Sequence, residues 1–213
     1  MFEQYASLSR RRRPRAGERA RFIEDRAGST AVEFALIALP TFLLILAIIE
    51  IGYSNFLQSR MDAAVRQTGR LILTGFVQGQ KSGGAPLTAQ QFRDQILCPK
   101  LPATMSCADV FVNVKVFSEP EAAQPSPFAS FINAKGDGVV PPALDNAQNK
   151  YCIGNGKQYV VVQAAYPLRL LTTAFLHANP MTYKGKPTRL MQSVTSFKNE
   201  PFPADGSAKP VGC

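Results

Sequence analysis

Apolar residues are concentrated in one stretch near the start of this chain. Residues 34–49 form a run of sixteen positions without a charged side chain, and the apolar character continues beyond Glu50 to Leu57. A helix over residues 34–57 would be about 36 Å long, which exceeds the ~30 Å hydrocarbon core of a bilayer. The pattern therefore predicts one transmembrane helix, which we assign to residues 29–57.

A helical pattern continues beyond the apolar run. Small and apolar residues recur at spacings of three and four, which is typical of a helix with one buried face. These positions are Met61, Ala64, Val65, Thr68, Leu71 and Ile72. Glycines from Gly75 to Gly84 then end the pattern. The sequence thus predicts one helix over residues 29–74, about 69 Å long, whose outer half presents an apolar stripe to a small domain.

The remainder of the chain alternates between short predicted elements and loops. Alternating patterns and β-branched runs indicate three strands. The strands are predicted at 110–117, at 159–166, where Pro167 would end the strand, and at 190–197. Thr88 is expected to cap a short helix over 88–97, residues 168–176 form a short helix or an apolar excursion, and the tail from Asn199 to Cys213 runs over the surface. These elements predict an α+β domain over residues 58–213, with a small antiparallel sheet packed on the outer half of the long helix.

The charge distribution sets the predicted orientation of the helix in the membrane. The chain carries a formal net charge of +9, and residues 1–28 contain eight arginines against four acids. Such a segment suits either nucleic acid or the inner face of a membrane. The arginine cluster lacks interleaved aromatic residues and adjoins the apolar run, so no nucleic-acid partner is expected. The positive-inside rule makes residues 1–28 a cytoplasmic leader and places residues 58–213 in the periplasm or outside the cell.

All four cysteines, Cys98, Cys107, Cys152 and Cys213, follow the apolar run. An even number confined to one side of a membrane suggests an oxidising compartment. Four cysteines allow three pairings, and proximity in sequence favours Cys98–Cys107 and Cys152–Cys213, with four unpaired thiols as the alternative. A zinc site is disfavoured, because the sequence has no C-x₂-C pair and His177 is its only histidine. Neither a metal nor a cofactor is expected.

The sequence argues against two other classes of protein. An enzyme is disfavoured, because the chain has one histidine, no paired carboxylates in a plausible cleft motif and no Gly-rich phosphate loop. A removable signal peptide is disfavoured, because residues 51–55 offer no small-x-small cleavage site. Both exclusions leave a membrane-anchored interaction protein.

Two carboxylates bracket the apolar run, Glu33 at its start and Glu50 near its far end. An ionised side chain in hydrocarbon costs about 2.5–3.5 kcal/mol or more, so such residues are expected to be functional or paired. Gly28 stands five positions before Glu33, directly after the basic segment. One explanation is local: Thr30 and Glu33 have the spacing of a capping box at a helix start, and Gly28 would only end the tail.

The segment from Gly28 to Glu33 also resembles the processing site of type IV prepilins. In that family a membrane peptidase cleaves after the glycine, and glutamate is the fifth residue of the mature chain. Here cleavage would remove residues 1–28 and leave Ser29 as the first residue. The new terminal amine would be a positive charge near hydrocarbon, and pairing with the Glu33 carboxylate would lower the cost of both charges. In the family this pairing helps to recruit subunits into a filament.

Three stretches together resemble the TadE-like family of the tight-adherence (Flp) pilus system. They are residues 26–36 with the apolar run to Gly52, residues 63–70, and residues 165–168 with 197–202. The resemblance implies a pilin-like fold and a pseudopilin. Such a minor subunit is cut by a prepilin peptidase and works with other pilins and the assembly machinery of an adhesive type IV pilus. Glu50 fits the family pattern as an intramembrane carboxylate. The major Flp pilins are much shorter than this chain, so it is not expected to be the bulk filament subunit.

The alternative is an unprocessed single-span inner-membrane protein with a periplasmic interaction domain. It shares the predicted topology, with the N-terminus in the cytoplasm and the C-terminal domain in the periplasm. The two hypotheses differ in whether the bond between Gly28 and Ser29 is cut, and in whether the chain leaves the membrane for a surface pilus.

Overall fold

The fold is a long helix followed by an α+β domain, as predicted. The computed structural model describes residues 27–82, 85–117, 127–136, 138–169 and 181–202. The chain divides into two compact units, Met1–Ile48 and Ile49–Cys213. The predicted element at 168–176 lies almost wholly outside the described residues.

Helix α1 spans Ala27–Leu73 and contains Pro40. In the first unit its large apolar side chains are exposed, and Phe34 retains 72% of its accessible surface. None of the most apolar stretch of α1 is buried within the protein, and its length and composition suffice to cross a membrane. Water is a poor solvent for such a surface, so α1 is consistent with a single-pass membrane protein.

In the second unit α1 buries one stripe of side chains in the domain core. The buried positions are Ser54, Leu57, Met61, Ala64, Val65, Thr68 and Ile72, with Leu71 partly buried. The predicted spacing of three and four is therefore confirmed. Gly69 has no side chain where α1 passes Phe197, and a Cβ there would lie 2.9 Å from Cε1 of that ring.

Helix α1 ends at a glycine that adopts a left-handed conformation. Gly75 has φ +78°, and its N–H donates to the carbonyl of Ile72. The carbonyl of Leu73, which lacks a partner within the helix, accepts from the N–H of Glu200 at 2.9 Å. The four-residue helix α2, Phe76–Gly79, follows and was not predicted.

The start of the C-terminal tail is packed, which corrects the prediction that the tail runs over the surface from Asn199. The Asn199 side chain is buried and donates to the carbonyls of Ile153 and Asn155. Phe202 lies against the backbone of Gly75. The segment up to Phe202 therefore belongs to the domain, because it closes the end of α1; the tail beyond it lies outside the described residues.

Substitution of Gly75 by alanine is expected to destabilise the domain by about 1–3 kcal/mol. A left-handed conformation costs a residue with a Cβ about 1–2 kcal/mol, and the added Cβ would lie 2.8 Å from Cγ of Phe202. Gly79→Ala is the matched control, because nothing lies within 4 Å of its Cβ position and alanine favours a helix by up to about 1 kcal/mol. Urea unfolding of the two variants checks this; equal stabilities would contradict it.

In the described ranges, six strands form two antiparallel sheets. A two-stranded ribbon pairs β1, Lys81–Ser82, with β2, Ala85–Pro86. The main sheet has the order β3-β4-β6-β5. Its strands are β3 Phe111–Phe117, β4 Tyr159–Leu168, β5 Met181–Tyr183 and β6 Lys186–Lys198. The three predicted strands are confirmed as β3, β4 and most of β6, whereas the ribbon and β5 were not predicted.

Pro167 does not end β4, which continues to Leu168. Backbone groups alternate in direction along a strand, and the alternation directs the backbone of Pro167 toward β3. The register of β3 begins at Phe111, opposite Ala165. Pro167 therefore lies beyond the end of β3, so its missing N–H removes no bond from the ladder.

The core face of the main sheet packs against α1 and a helical segment that begins with α3, Ala89–Phe92. Thr88 caps α3 through a capping box with Gln91, as predicted for Thr88, although the α-helix is shorter than the predicted 88–97. Phe92 is 0% exposed, and its ring centroid lies 5.2 Å from that of Tyr151. The opposite face is covered in part by Phe131, which contacts Phe117 edge-on.

A hairpin joins β5 to β6 and docks on the segment that precedes β3. Its two turn residues, Lys184 and Gly185, both have positive φ, as a two-residue type I′ turn requires. The Lys184 Nζ lies 2.7 Å from Oδ1 of Asp109, and the Tyr183 hydroxyl donates to the same oxygen at 2.9 Å. The Lys184 bond lowers the pKa of Asp109 below its ordinary value of 3.8, and Asp109 in turn raises the pKa of Lys184.

This cluster predicts a loss of hairpin docking in acid. The pKa of Asp109 is lower in the folded chain than its ordinary value of 3.8. Its contribution to the stability of the docked hairpin is therefore present above pH 3.8 and is lost as the pH falls through the lowered pKa. The pKa of Lys184 is raised above its ordinary value of 10.5. Its contribution to the stability of the docked hairpin is therefore present below pH 10.5 and is lost as the pH rises through the raised pKa. Amide exchange of Tyr183 measured against pH checks this. Asp109→Asn should remove the acid transition, and an unchanged transition in that variant would contradict the assignment.

Candidate functional site

The predicted cleavage residues lie within α1. The described part of the helix begins at Ala27, so Gly28 and Ser29 already have helical backbone and the helix starts at least two residues before the predicted Ser29. Thr30 therefore lies inside the helix, whereas an N-cap residue precedes the helix. The capping-box explanation for Thr30 and Glu33 therefore does not fit this structure.

Glu33 is exposed on α1 among exposed apolar neighbours. Val32 and Phe34, on either side of it, retain 60% and 72% of their surface. The carboxylate thus lies on a helix surface that needs lipid or another apolar partner around it. Glu33 and Ser29 are four residues apart, which places them on the same face of the helix, one turn from each other.

Glu50, the second carboxylate of the apolar run, belongs to the second unit and is half-buried. It precedes Ser54, where the buried stripe of α1 begins. The two carboxylates therefore differ in environment, since Glu33 is exposed and Glu50 is partly covered.

Two of the predicted disulfide cysteines are bonded to each other. Cys98 and Cys107 form a disulfide with a Cα–Cα distance of 5.8 Å, as predicted. Cys152 is also disulfide-bonded, and its predicted partner Cys213 lies outside the described residues. Asp94 lies close to both sulfurs of the Cys98–Cys107 pair. A metal would need thiolates there, which a disulfide cannot supply.

One surface was not indicated by the sequence analysis, namely the outer edge of β6 from Leu190 to Ser196, called the β6 edge below. Within the described ranges, β5 pairs with β6 from Lys186 to Thr188. The signal that could have found it is charge, because Lys186–Lys198 contains three basic residues and no acid.

The fold and the exposed apolar helix fit one class of protein, a single-span membrane protein with an α+β domain. Comparison with protein families places the class more closely: residues 28–70 match the TadE-like protein family. The match confirms the resemblance found in the sequence and spans Gly28, Ser29, Glu33 and Glu50. This match and the long apolar helix fit a pilus-associated membrane protein of the tight-adherence system. The TadE-like family is in general non-enzymatic. Searches of curated proteins and of solved structures gave no match.

Proposed function

We propose that this chain is a pseudopilin of a tight-adherence type IV pilus. In this proposal a prepilin peptidase cuts between Gly28 and Ser29. The mature chain then assembles with other pilins as a minor subunit of an adhesive pilus, drawn from the inner membrane.

The observation that carries the proposal is the order of three features in the sequence. The basic segment ends at Arg26, the family match begins at Gly28, and the Glu33 carboxylate follows five positions later at the start of the apolar run. A structural helix cap would explain the helix start alone. A processing site explains why the basic segment, the glycine and the carboxylate occur in this order.

The chemistry of the cut gives Glu33 its role. Hydrolysis of the Gly28–Ser29 bond releases a carboxylate on the leader and an amine on Ser29, which is protonated near neutral pH. In the helical register, the Glu33 carboxylate is one turn away and can pair with this amine, or with the amine of a neighbouring subunit. The positive end of the helix dipole further favours a carboxylate in this first part of the helix.

The exposed apolar surface of α1 is compatible with two environments that the helix would occupy one after the other. In the membrane it would contact lipid, and in a filament it would contact the helices of neighbouring subunits. Neither environment requires the exposed part of α1 to refold, because a helix satisfies its backbone hydrogen bonds internally.

Alkaline phosphatase fused after Cys213 is expected to be active, because the positive-inside rule places residues 58–213 outside the cytoplasm and this reporter needs an oxidising compartment. A matched fusion after Arg26, before the helix, should be inactive. The same cells should contain the chain in the inner membrane and in sheared surface pili. A reporter active only in the cytoplasm would contradict the proposed orientation, and a chain absent from pili would contradict the subunit role.

A further inference from the structure

We propose that the β6 edge binds an extended acidic segment of another protein by strand addition. The binding surface belongs entirely to the second unit of the chain. The inference goes beyond the pilus proposal and does not depend on cleavage at Gly28.

The direction of the backbone groups in β6 follows from the ladder of the whole sheet. The N–H of Val114 in β3 donates to the carbonyl of Lys150, and the carbonyl of Val114 accepts from the N–H of Cys152. Both bonds lie on the side of β3 that faces away from β4. Opposed residues in antiparallel strands alternate between bonded and non-bonded pairs. Val114 lies opposite Val162, which lies opposite Thr195. Val162 therefore bonds Thr195, and the even-numbered residues of β6 direct their backbone groups away from β4.

Four even-numbered residues beyond the reach of β5 make up this edge: Leu190, Gln192, Val194 and Ser196. The side chain of Gln58 on α1 donates to the carbonyl of Gln192 at 2.7 Å, which agrees with the outward direction. Within the part of the chain that the structure describes, the outward backbone groups of Leu190, Val194 and Ser196 have no hydrogen-bond partner. They form a template for a further strand.

The opposite edge of the sheet is closed by the chain itself. Lys150 and Cys152 bond Val114 of β3 as described above. The Asn146 side chain accepts from the N–H of Val112 and donates to the carbonyl of Val110. Among the described residues, the opposite edge is thus bonded from Val110 to Val114, whereas along the β6 edge only the carbonyl of Gln192 is bonded.

The positive charge around the β6 edge indicates the chemical class of the segment that would bind there. Strand β6 carries Lys186, Arg189 and Lys198 and no acid, and residues 58–213 hold sixteen basic against nine acidic residues, a net charge of +7. A second copy of the domain would be repelled by this charge, whereas an acidic segment would be attracted. Charged side chains alone can also serve to keep edges apart. However, Val194 is 40% exposed in the middle of the strand and offers an apolar contact to an added strand.

The test uses the full chain in detergent micelles and two synthetic peptides. One peptide has seven residues with alternating valine and glutamate, and the other has lysine in place of glutamate. The acidic peptide is expected to bind and to slow amide exchange at Leu190, Val194 and Ser196. Its Kd should rise with salt, and the basic peptide should bind at least about tenfold more weakly.

Two variants separate the backbone contribution from the charge contribution. Val194→Pro removes one outward N–H without breaking a bond to β4. It should weaken binding of the acidic peptide about tenfold. Val194→Thr keeps that N–H, so its Kd for the acidic peptide should stay within about twofold of the parent value. Arg189→Glu should narrow or invert the preference between the two peptides, and it reports on the proposal even if the proline variant fails to fold.

Three results would overturn the proposal. The first is amide protection of Leu190, Val194 and Ser196 in the absence of peptide, together with a monomeric chain. The second is equal binding of the two peptides, or no binding of the acidic one. The third is concentration-dependent dimerisation that Val194→Pro abolishes, which would assign the β6 edge to a second copy of this chain.

Discussion

Replacement of Glu33 by alanine is expected to lower incorporation of the chain into sheared pili at least about tenfold, which corresponds to about 1.4 kcal/mol or more of assembly free energy. The amine that processing would create at Ser29 would lose its partner carboxylate in an apolar environment. Membrane levels of the protein should not change, because Glu33 is exposed on α1 and lies outside the domain core. The measurement is immunoblotting of sheared-pilus and membrane fractions.

Two controls define the cause of that loss. Glu33→Gln keeps the shape of the side chain and removes its charge, so it should fail as alanine does if the ion pair is responsible. Val32→Ala shortens an adjacent exposed apolar residue and keeps every charge, so it should lower incorporation much less than Glu33→Ala. Normal incorporation of Glu33→Ala would remove the proposed role of this carboxylate.

Replacement of Phe92 by alanine is expected to destabilise the α+β domain by about 3–5 kcal/mol. Phe92 is completely buried, and its ring packs on Tyr151 between the α3 segment and the core face of the sheet. Truncation removes this contact and leaves a cavity among closely packed neighbours. Because small domains have only about 5–15 kcal/mol of stability, the variant should be marginally folded.

Phe76→Ala is the matched control, because Phe76 retains 49% of its surface. It should change stability by less than about 1 kcal/mol. Both variants can be followed by urea unfolding with near-ultraviolet circular dichroism of the tyrosines, since the chain has no tryptophan. A Phe92 variant as stable as the Phe76 variant would show that the core does not depend on the α3 segment.

The long helix was predictable because its signals repeat over many residues. The apolar run and the stripe from Met61 to Ile72 both mark α1, and each is confirmed by exposure or burial in the structure. The strands β3 and β4 were predictable because their patterns extend over seven or more residues. The Cys98–Cys107 disulfide followed from proximity alone.

The hairpin and the strand ends were not predictable, because they depend on neighbouring strands. Strand β5 has three residues, too few for an alternating pattern. Pro187 obscured the start of β6 and Pro167 the end of β4, since a strand tolerates proline only where no neighbour needs its N–H. Sequence cannot show where a neighbouring strand stops. The same limitation concealed the β6 edge, which lies beyond the described pairs between β5 and β6.

The packed start of the tail escaped prediction for a similar reason. Prolines near the C-terminus indicate a loop, but the bond from Glu200 to Leu73 depends on a helix end that is more than a hundred residues away in sequence. The residues of the candidate processing site, in contrast, could be named from the sequence alone, because Gly28, Ser29 and Glu33 are consecutive or one helical turn apart. Their role in processing and assembly stays a prediction.

The most direct test of the central claim is the N-terminal residue of the mature protein, determined in cells with and without their prepilin peptidase. We expect Ser29 as the first residue when the peptidase is present, and the intact basic leader when it is absent. An uncleaved N-terminus in both strains would contradict the pseudopilin proposal and would make the chain a permanent single-span membrane protein.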